Sequence, residues 1–140
     1  MYRREMREHL VKMLYCSTYY EESDIDEQVE FYKDRIRRMH LEEPEDTIAK
    51  DIDEICTKFR DIRAKLEEID KIIEESSEGW KIKRMAKIDL SILRVAVYEI
   101  HNADDVPYKV AINEAVEIAK IYGGDNSFGF VNGILAKVVK

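Results

Sequence analysis

From Ile48 to Ile73, eight apolar residues (Ile48, Ile52, Ile55, Phe59, Ile62, Leu66, Ile69 and Ile73) follow one another at alternating steps of four and three. A step averaging 3.5 residues lines all eight along one stripe of an α-helix and is incompatible with the two-residue period of a strand. One continuous helix is expected, opening at Asp46 or Thr47 and broken at Gly79. The stripe has two possible destinations: the chain's own core, or a coiled-coil seam to a second molecule. Lys, Arg, Asp and Glu flank it without a rule of complementary pairing, which favours the internal destination.

The remaining sequence is also helix-like. Five Gly and two Pro among 140 residues supply too few tight turns for a sheet protein. Met6, Leu10, Met13 and Leu14 give a first helix an apolar face, and that helix runs to about Tyr20. Ser23 or Asp24 can cap a second helix, in which Val29, Phe31, Tyr32, Ile36 and Met39 form the apolar side before Pro44 ends it. Trp80, Ile82 and Met85 begin a shorter element. Residues 88–100 are apolar almost all round, as expected of a helix at the centre of a bundle. Pro107 suits the first turn of the next helix, which Gly123 and Gly124 can close with a left-handed cap. Asn126 or Ser127 starts the last helix, with Phe130, Val131, Ile134, Leu135 and Val138 inward. The fold class is therefore all-α, with six or seven helices in one domain.

No apolar run approaches the length of a membrane span, and no basic stretch followed by an apolar segment and a cleavage site opens the chain, so a cytoplasmic location is expected. Cys16 and Cys56 read as two core-side thiols in a reducing compartment, with no CxxC to suggest zinc. His9, His40 and His101 are scattered and read as surface or helix-end residues. No HExxH, GxSxG or phosphate-loop pattern is present, so the expectation is a protein without catalytic residues, cofactor or metal.

The net charge of −7 argues against nucleic acid, but its distribution does not. Residues 1–20 carry four basic and two acidic side chains, residues 21–79 carry ten and 21, and residues 80–140 carry nine and seven. All the acidic excess lies in the middle. Near the N-terminus, Arg4, Arg7 and Tyr15 fall within a helical arc of roughly 80°, beside the apolar stripe. Guanidinium groups fork onto phosphates and an aromatic ring stacks on an unpaired base, so single-stranded RNA is a chemically sensible partner. A charged helix start with Tyr15 half buried is the competing reading.

The stretch from Trp80 through IDLSILRVAVYEI (88–100), VPYKVAINEAVEIAKIYG (106–123) and FVNGIL (130–135) resembles the bacterial NusB family of transcription antitermination factors, as does RREMREHLVKMLY (3–15). Residues 21–79 match only as helices. The resemblance implies two small helical subdomains, residues 1–78 and 79–140, and a non-catalytic protein. It also implies binding of the boxA element of nascent RNA together with NusE, a small ribosomal subunit protein, alongside other Nus factors and RNA polymerase during ribosomal RNA transcription. Carried over by position, the RNA face comprises Arg3, Arg4, Arg7 and Tyr15, then Tyr122, Asn126, Ser127 and Phe130, where a helix N-terminus favours phosphate. Asp89 falls at the NusE surface. Gly129 stands where the family often has a basic residue before FVNG, so weak RNA binding without NusE is expected. The alternative is a helical adaptor that dimerises through the 48–73 seam without RNA.

Overall fold

The computed structural model of the chain describes residues 1–139, so Lys140, the last residue of the expected 79–140 subdomain, lies outside them. Among the described residues there are seven α-helices, two 3-10 turns and no strand. The helices are α1 (Arg3–Ser17), α2 (Ile25–Met39), α3 (Glu45–Ala64), α4 (Leu66–Ser76), α5 (Lys87–Asn102), α6 (Tyr108–Tyr122) and α7 (Ser127–Val138). The chain forms two compact units, Met1–Asp61 and the part from Ile62 onward. That division falls within α3, whereas the sequence suggested 78/79. The difference arises because α4 packs on α5 and α7 of the second unit.

In the first unit, α1 buries Met6, Leu10, Val11, Met13 and Leu14. It stops at Ser17, earlier than expected, because the Ser17 and Thr18 hydroxyls donate to the Leu14 and Tyr15 carbonyls at 2.7 Å and so satisfy groups at the helix end. Helix α2 follows the 3-10 turn Glu22–Asp24 and starts without a side-chain cap from Asp24. It buries only Ile25, Val29 and Ile36, leaving the expected core residues Phe31 and Met39 exposed. Met39 lies on the flank of the buried stripe, about 60° from Ile36, and Phe31 lies nearly opposite it, about 160° from Val29. Pro44 does not end α2, which closes at Met39; instead its carbonyl accepts from the Ile48 N–H as α3 begins.

The heptad stripe is buried within the chain itself: Ile48, Ile52, Ile55, Phe59, Ile62, Ile69 and Ile73 are all core residues. A seam so used is not available to a second molecule, and the adaptor reading loses its dimerisation surface. The expected continuous helix is two helices. At Lys65 the backbone moves to φ −106°, ψ 12°, its N–H bonding the Ile62 carbonyl three residues back. Leu66, just past the break, is only half buried, but one residue out of α geometry displaces the stripe little enough that Ile69 and Ile73 return to the core. Lys65 is held there from the second unit's own helices, its Nζ donating to Asn102 Oδ1 at 2.9 Å and lying over the Tyr98 ring.

In the second unit α5 is the hub, packed on α4, α6 and α7. Residues 89–99 are all buried, including the polar Ser91, Arg94 and Glu99. Each fully buried Leu, Ile or Val contributes about 1.5–3 kcal/mol relative to exposure, which is why a helix without a polar face is stable only here. Arg94 is tolerated because Asp70 on α4 takes its Nε and Nη2 in a two-point pair, both at 2.8 Å. Glu78 (φ 52°) and Gly79 (φ 98°) make the left-handed turn that ends α4. Gly123 does not form the left-handed cap expected of it, having φ −88° and ψ 177°. Its role is close approach, since a Cβ there would lie 2.4 Å from Ser127 Cβ and 2.7 Å from the Ala119 carbonyl.

Candidate nucleic-acid interface

The first unit presents its basic strip on α1. Arg3 and Arg4 are exposed, and Arg7 and Tyr15 are half buried, along the edge of the helix beside its buried apolar stripe. Arg3 reaches α3, its Nη1 bonding Glu54 Oε2 at 2.5 Å. An exposed pair of this kind is worth about 0–1 kcal/mol, so a phosphate can displace the carboxylate at little cost. Tyr15 is not alone. Tyr19, four residues on in the turn past the helix end and 61% exposed, meets it edge to face at a centroid distance of 5.4 Å, with the hydroxyls 3.4 Å apart. The sequence held this signal in the i, i+4 spacing of the two tyrosines, but Tyr19 was missed because α1 was judged by its arginines.

A second set of side chains lies around the α6–α7 turn of the second unit. Tyr122 is 38% exposed and Asn126 is exposed at the N-terminus of α7. Ser127 is buried beneath Gly123, and its Oγ accepts from the Gly124 N–H at 2.9 Å, so it shapes the turn. Phe130 is half buried, with its ring against Trp80 at 6.1 Å in an edge-to-face arrangement. Trp80, itself 54% exposed, and Phe128, 45% exposed beneath the Lys120 ammonium at 5.6 Å, are aromatic surfaces the sequence reading passed over. Their exposure depends on which face of α7 packs inward, and the alternation in SFGFVNGIL does not reveal that. Gly133, which lies in the FVNG motif, has open space where its Cβ would be, so it is not a point of close helix approach.

Asp89 sits in the first turn of α5, largely buried, with Oδ1 making no hydrogen bond. A carboxylate there is favoured by the helix dipole. The thiols differ from expectation: Cys56 is buried, while Cys16 is exposed because it lies off the apolar face of α1. Burial pushes the Cys56 thiol up from its ordinary 9.0. His101 is exposed and His40 closes α2, as expected, but His9 is buried against Tyr32 in the first unit. It falls on the inner side of α1, where its Nδ1 meets the Tyr32 hydroxyl at 3.0 Å and its Nε2 lies 3.7 Å from the Glu5 carboxylate.

These features define a class: an all-helical protein with an arginine–tyrosine strip on one helix and exposed aromatics around another helix start. Comparison with known proteins narrows the class. The chain matches the model of the NusB family over residues 4–140. It is 49% identical over 139 residues to the transcription antitermination protein NusB of Lachnoclostridium phytofermentans, covering 99% of both chains. It is 47% identical over 137 residues to that of Agathobacter rectalis, covering 98% of both. The fold matches a solved structure of T. maritima NusB with a TM-score of 0.82 at 31% identity, covering 99% of this chain and 90% of that one. The chain belongs to the NusB family, and the expected all-helical NusB-like fold is the one observed. No helix among the described residues is long and apolar enough to cross a membrane.

Proposed function

We propose that this chain is a cytoplasmic transcription antitermination factor that binds boxA-type single-stranded RNA together with NusE, within an assembly of Nus factors and RNA polymerase that supports ribosomal RNA transcription. The observation that carries the RNA reading is the α1 strip. Three arginines and Tyr15 on one helix, with Tyr19 touching Tyr15 just past the helix end, combine phosphate neutralisation with base stacking, the two terms that dominate recognition of unpaired RNA. Arg3, Arg4 and Arg7 hold phosphates and Tyr15 stacks. On the second unit, Tyr122 and Phe130 offer ring faces and Asn126 offers amide groups beside the α7 N-terminus. Ser127 acts by holding the turn that presents them. Asp89 is the NusE contact, its unsatisfied Oδ1 accepting a hydrogen bond from a donor that reaches the rim of α5.

The chain carries out no bond-making step in this reading. RNA is held by charge and stacking, and NusE supplies the affinity that a chain of net charge −7 lacks. The test compares boxA with scrambled RNA, with and without NusE, for the native chain and for Arg4→Ala combined with Arg7→Ala. The double variant is expected to lose at least tenfold in affinity and to flatten the salt dependence by about 1.4 in log–log slope for two phosphate contacts. Equal binding to the two RNAs, or an unchanged double variant, would overturn the reading. A tight, salt-insensitive complex with boxA in the absence of NusE would overturn the dependence on the partner.

A further inference from the structure

The first unit brings together three side chains that no part of the RNA reading uses. Glu5 and His9 stand one turn apart on the same face of α1, and His40, the residue that closes α2, meets them from the other side. His40 Nε2 lies 2.9 Å from Glu5 Oε2, and His9 Nε2 lies 3.7 Å from the same oxygen, too far for a hydrogen bond. One donor atom from each residue falls within 4.8 Å of the others. The far side of each imidazole is also occupied: His9 Nδ1 meets the Tyr32 hydroxyl at 3.0 Å, and His40 Nδ1 meets the Glu43 carboxylate.

We propose that Glu5, His9 and His40 form a divalent-metal site suited to Zn2+, with Glu5 Oε2, His9 Nε2 and His40 Nε2 as ligands.

Four observations converge on this. His9 is 3% exposed, yet its Nε2 has no hydrogen-bond partner, a costly state for a buried ring nitrogen unless something binds there. Tetrahedral zinc with bonds of 2.0–2.1 Å needs donors about 3.3 Å apart; the two distances to Glu5 bracket that value, and all three donors lie within 4.8 Å, so modest side-chain adjustments close the site. The outer contacts are those that orient metal-binding imidazoles: a carboxylate on one Nδ1 and a hydroxyl on the other fix each ring with Nε2 inward. Finally, the carboxylates of Glu5 and Glu43 balance a dication, and both rings bind in the neutral form.

Two imidazoles and a carboxylate favour zinc over magnesium or calcium, which take oxygen donors. The Glu5 side chain retains 31% exposure, which gives the ion a way in and leaves a fourth position for water. Binding would cross-link α1 to the end of α2 and hold the arginine-bearing helix in place.

The test is titration of the metal-stripped chain with ZnCl2 against a chromogenic chelator. One ion per chain is expected. Glu5→Gln and His40→Gln should each weaken binding by roughly a hundredfold or more, and Glu43→Gln by about 10–100-fold, as loss of an orienting contact does. Cys16→Ser should leave binding unchanged, and Co2+ should give ligand-field bands without thiolate charge transfer. In the unaltered chain, Zn2+ should shift the imidazole NMR signals of His9 and His40 and leave His101 in place, a readout that needs no variant to fold. Absence of stoichiometric binding, binding indifferent to both ligand variants, loss on Cys16→Ser, or shifts confined to His101 would each overturn the proposal.

Discussion

Substituting Asp70 by Ala should destabilise the second unit more than any other single charge removal on α4. The reason is an asymmetry of burial across one ion pair: the Arg94 side chain is 11% exposed and that of Asp70 is 23% exposed. Deleting Asp70 strands a guanidinium in the packed centre of α5, where water cannot replace the two 2.8 Å bonds it loses. Breaking a buried pair in this way costs about 3–5 kcal/mol, and the partial exposure of Asp70 points to the lower end, about 3 kcal/mol. With an unfolding entropy near 2.1 cal/mol/K per residue, a chain of 140 residues loses about 10 °C of Tm. Arg94→Met leaves behind the more exposed partner and keeps apolar contact, so about 1–2 kcal/mol is expected. The double variant Asp70→Leu with Arg94→Met should recover most of the loss, because an apolar pair of similar volume avoids the desolvation of both ions. Urea unfolding followed by circular dichroism, with m-values held equal, measures all three. A cost below about 1 kcal/mol for Asp70→Ala, or an equal cost for Arg94→Met, would show that water reaches the guanidinium and would refute the argument.

Other expectations follow from the same geometry. Gly123→Ala should cost about 1–3 kcal/mol, since its Cβ meets Ser127 at 2.4 Å, whereas Gly133→Ala, in open space within α7, should gain about 0.5–1 kcal/mol; thermal melts of the pair decide whether space or the FVNG motif governs these glycines. Cys16 should react rapidly with a disulfide reagent at pH 8, while Cys56 should react only after unfolding, because burial raises its thiol pKa and blocks access. Equal rates in the folded chain would contradict the packing of α3.

Some of this was legible in the chain from local chemistry alone. The burial of α5 was readable because an all-apolar helix of that length has only one stable location. The basic strip was readable because helical angle follows from residue number. The break at Lys65 was not, because one residue leaving α geometry preserves the apolar period, and what holds it, Asn102 and Tyr98, lies on another helix. Likewise Met39 lies about 60° from Ile36 on α2 yet is exposed, because exposure depends on which flank of the helix meets a neighbour.

By itself, the sequence determined that the chain is helical, where its apolar stripes run, where the positive charge lies and which family it resembles, since period, composition and motif are properties of consecutive residues. Tertiary structure alone decided that the heptad stripe is internal, that Tyr19, Trp80 and Phe128 lie exposed beside the predicted positions, and that α4 belongs with the second unit. It also decided that His9 and His40, scattered along the chain, converge on Glu5. Each of these is a relation between helix faces separated by turns of unknown direction, and it is fixed only when burying the apolar stripes chooses how the helices cross.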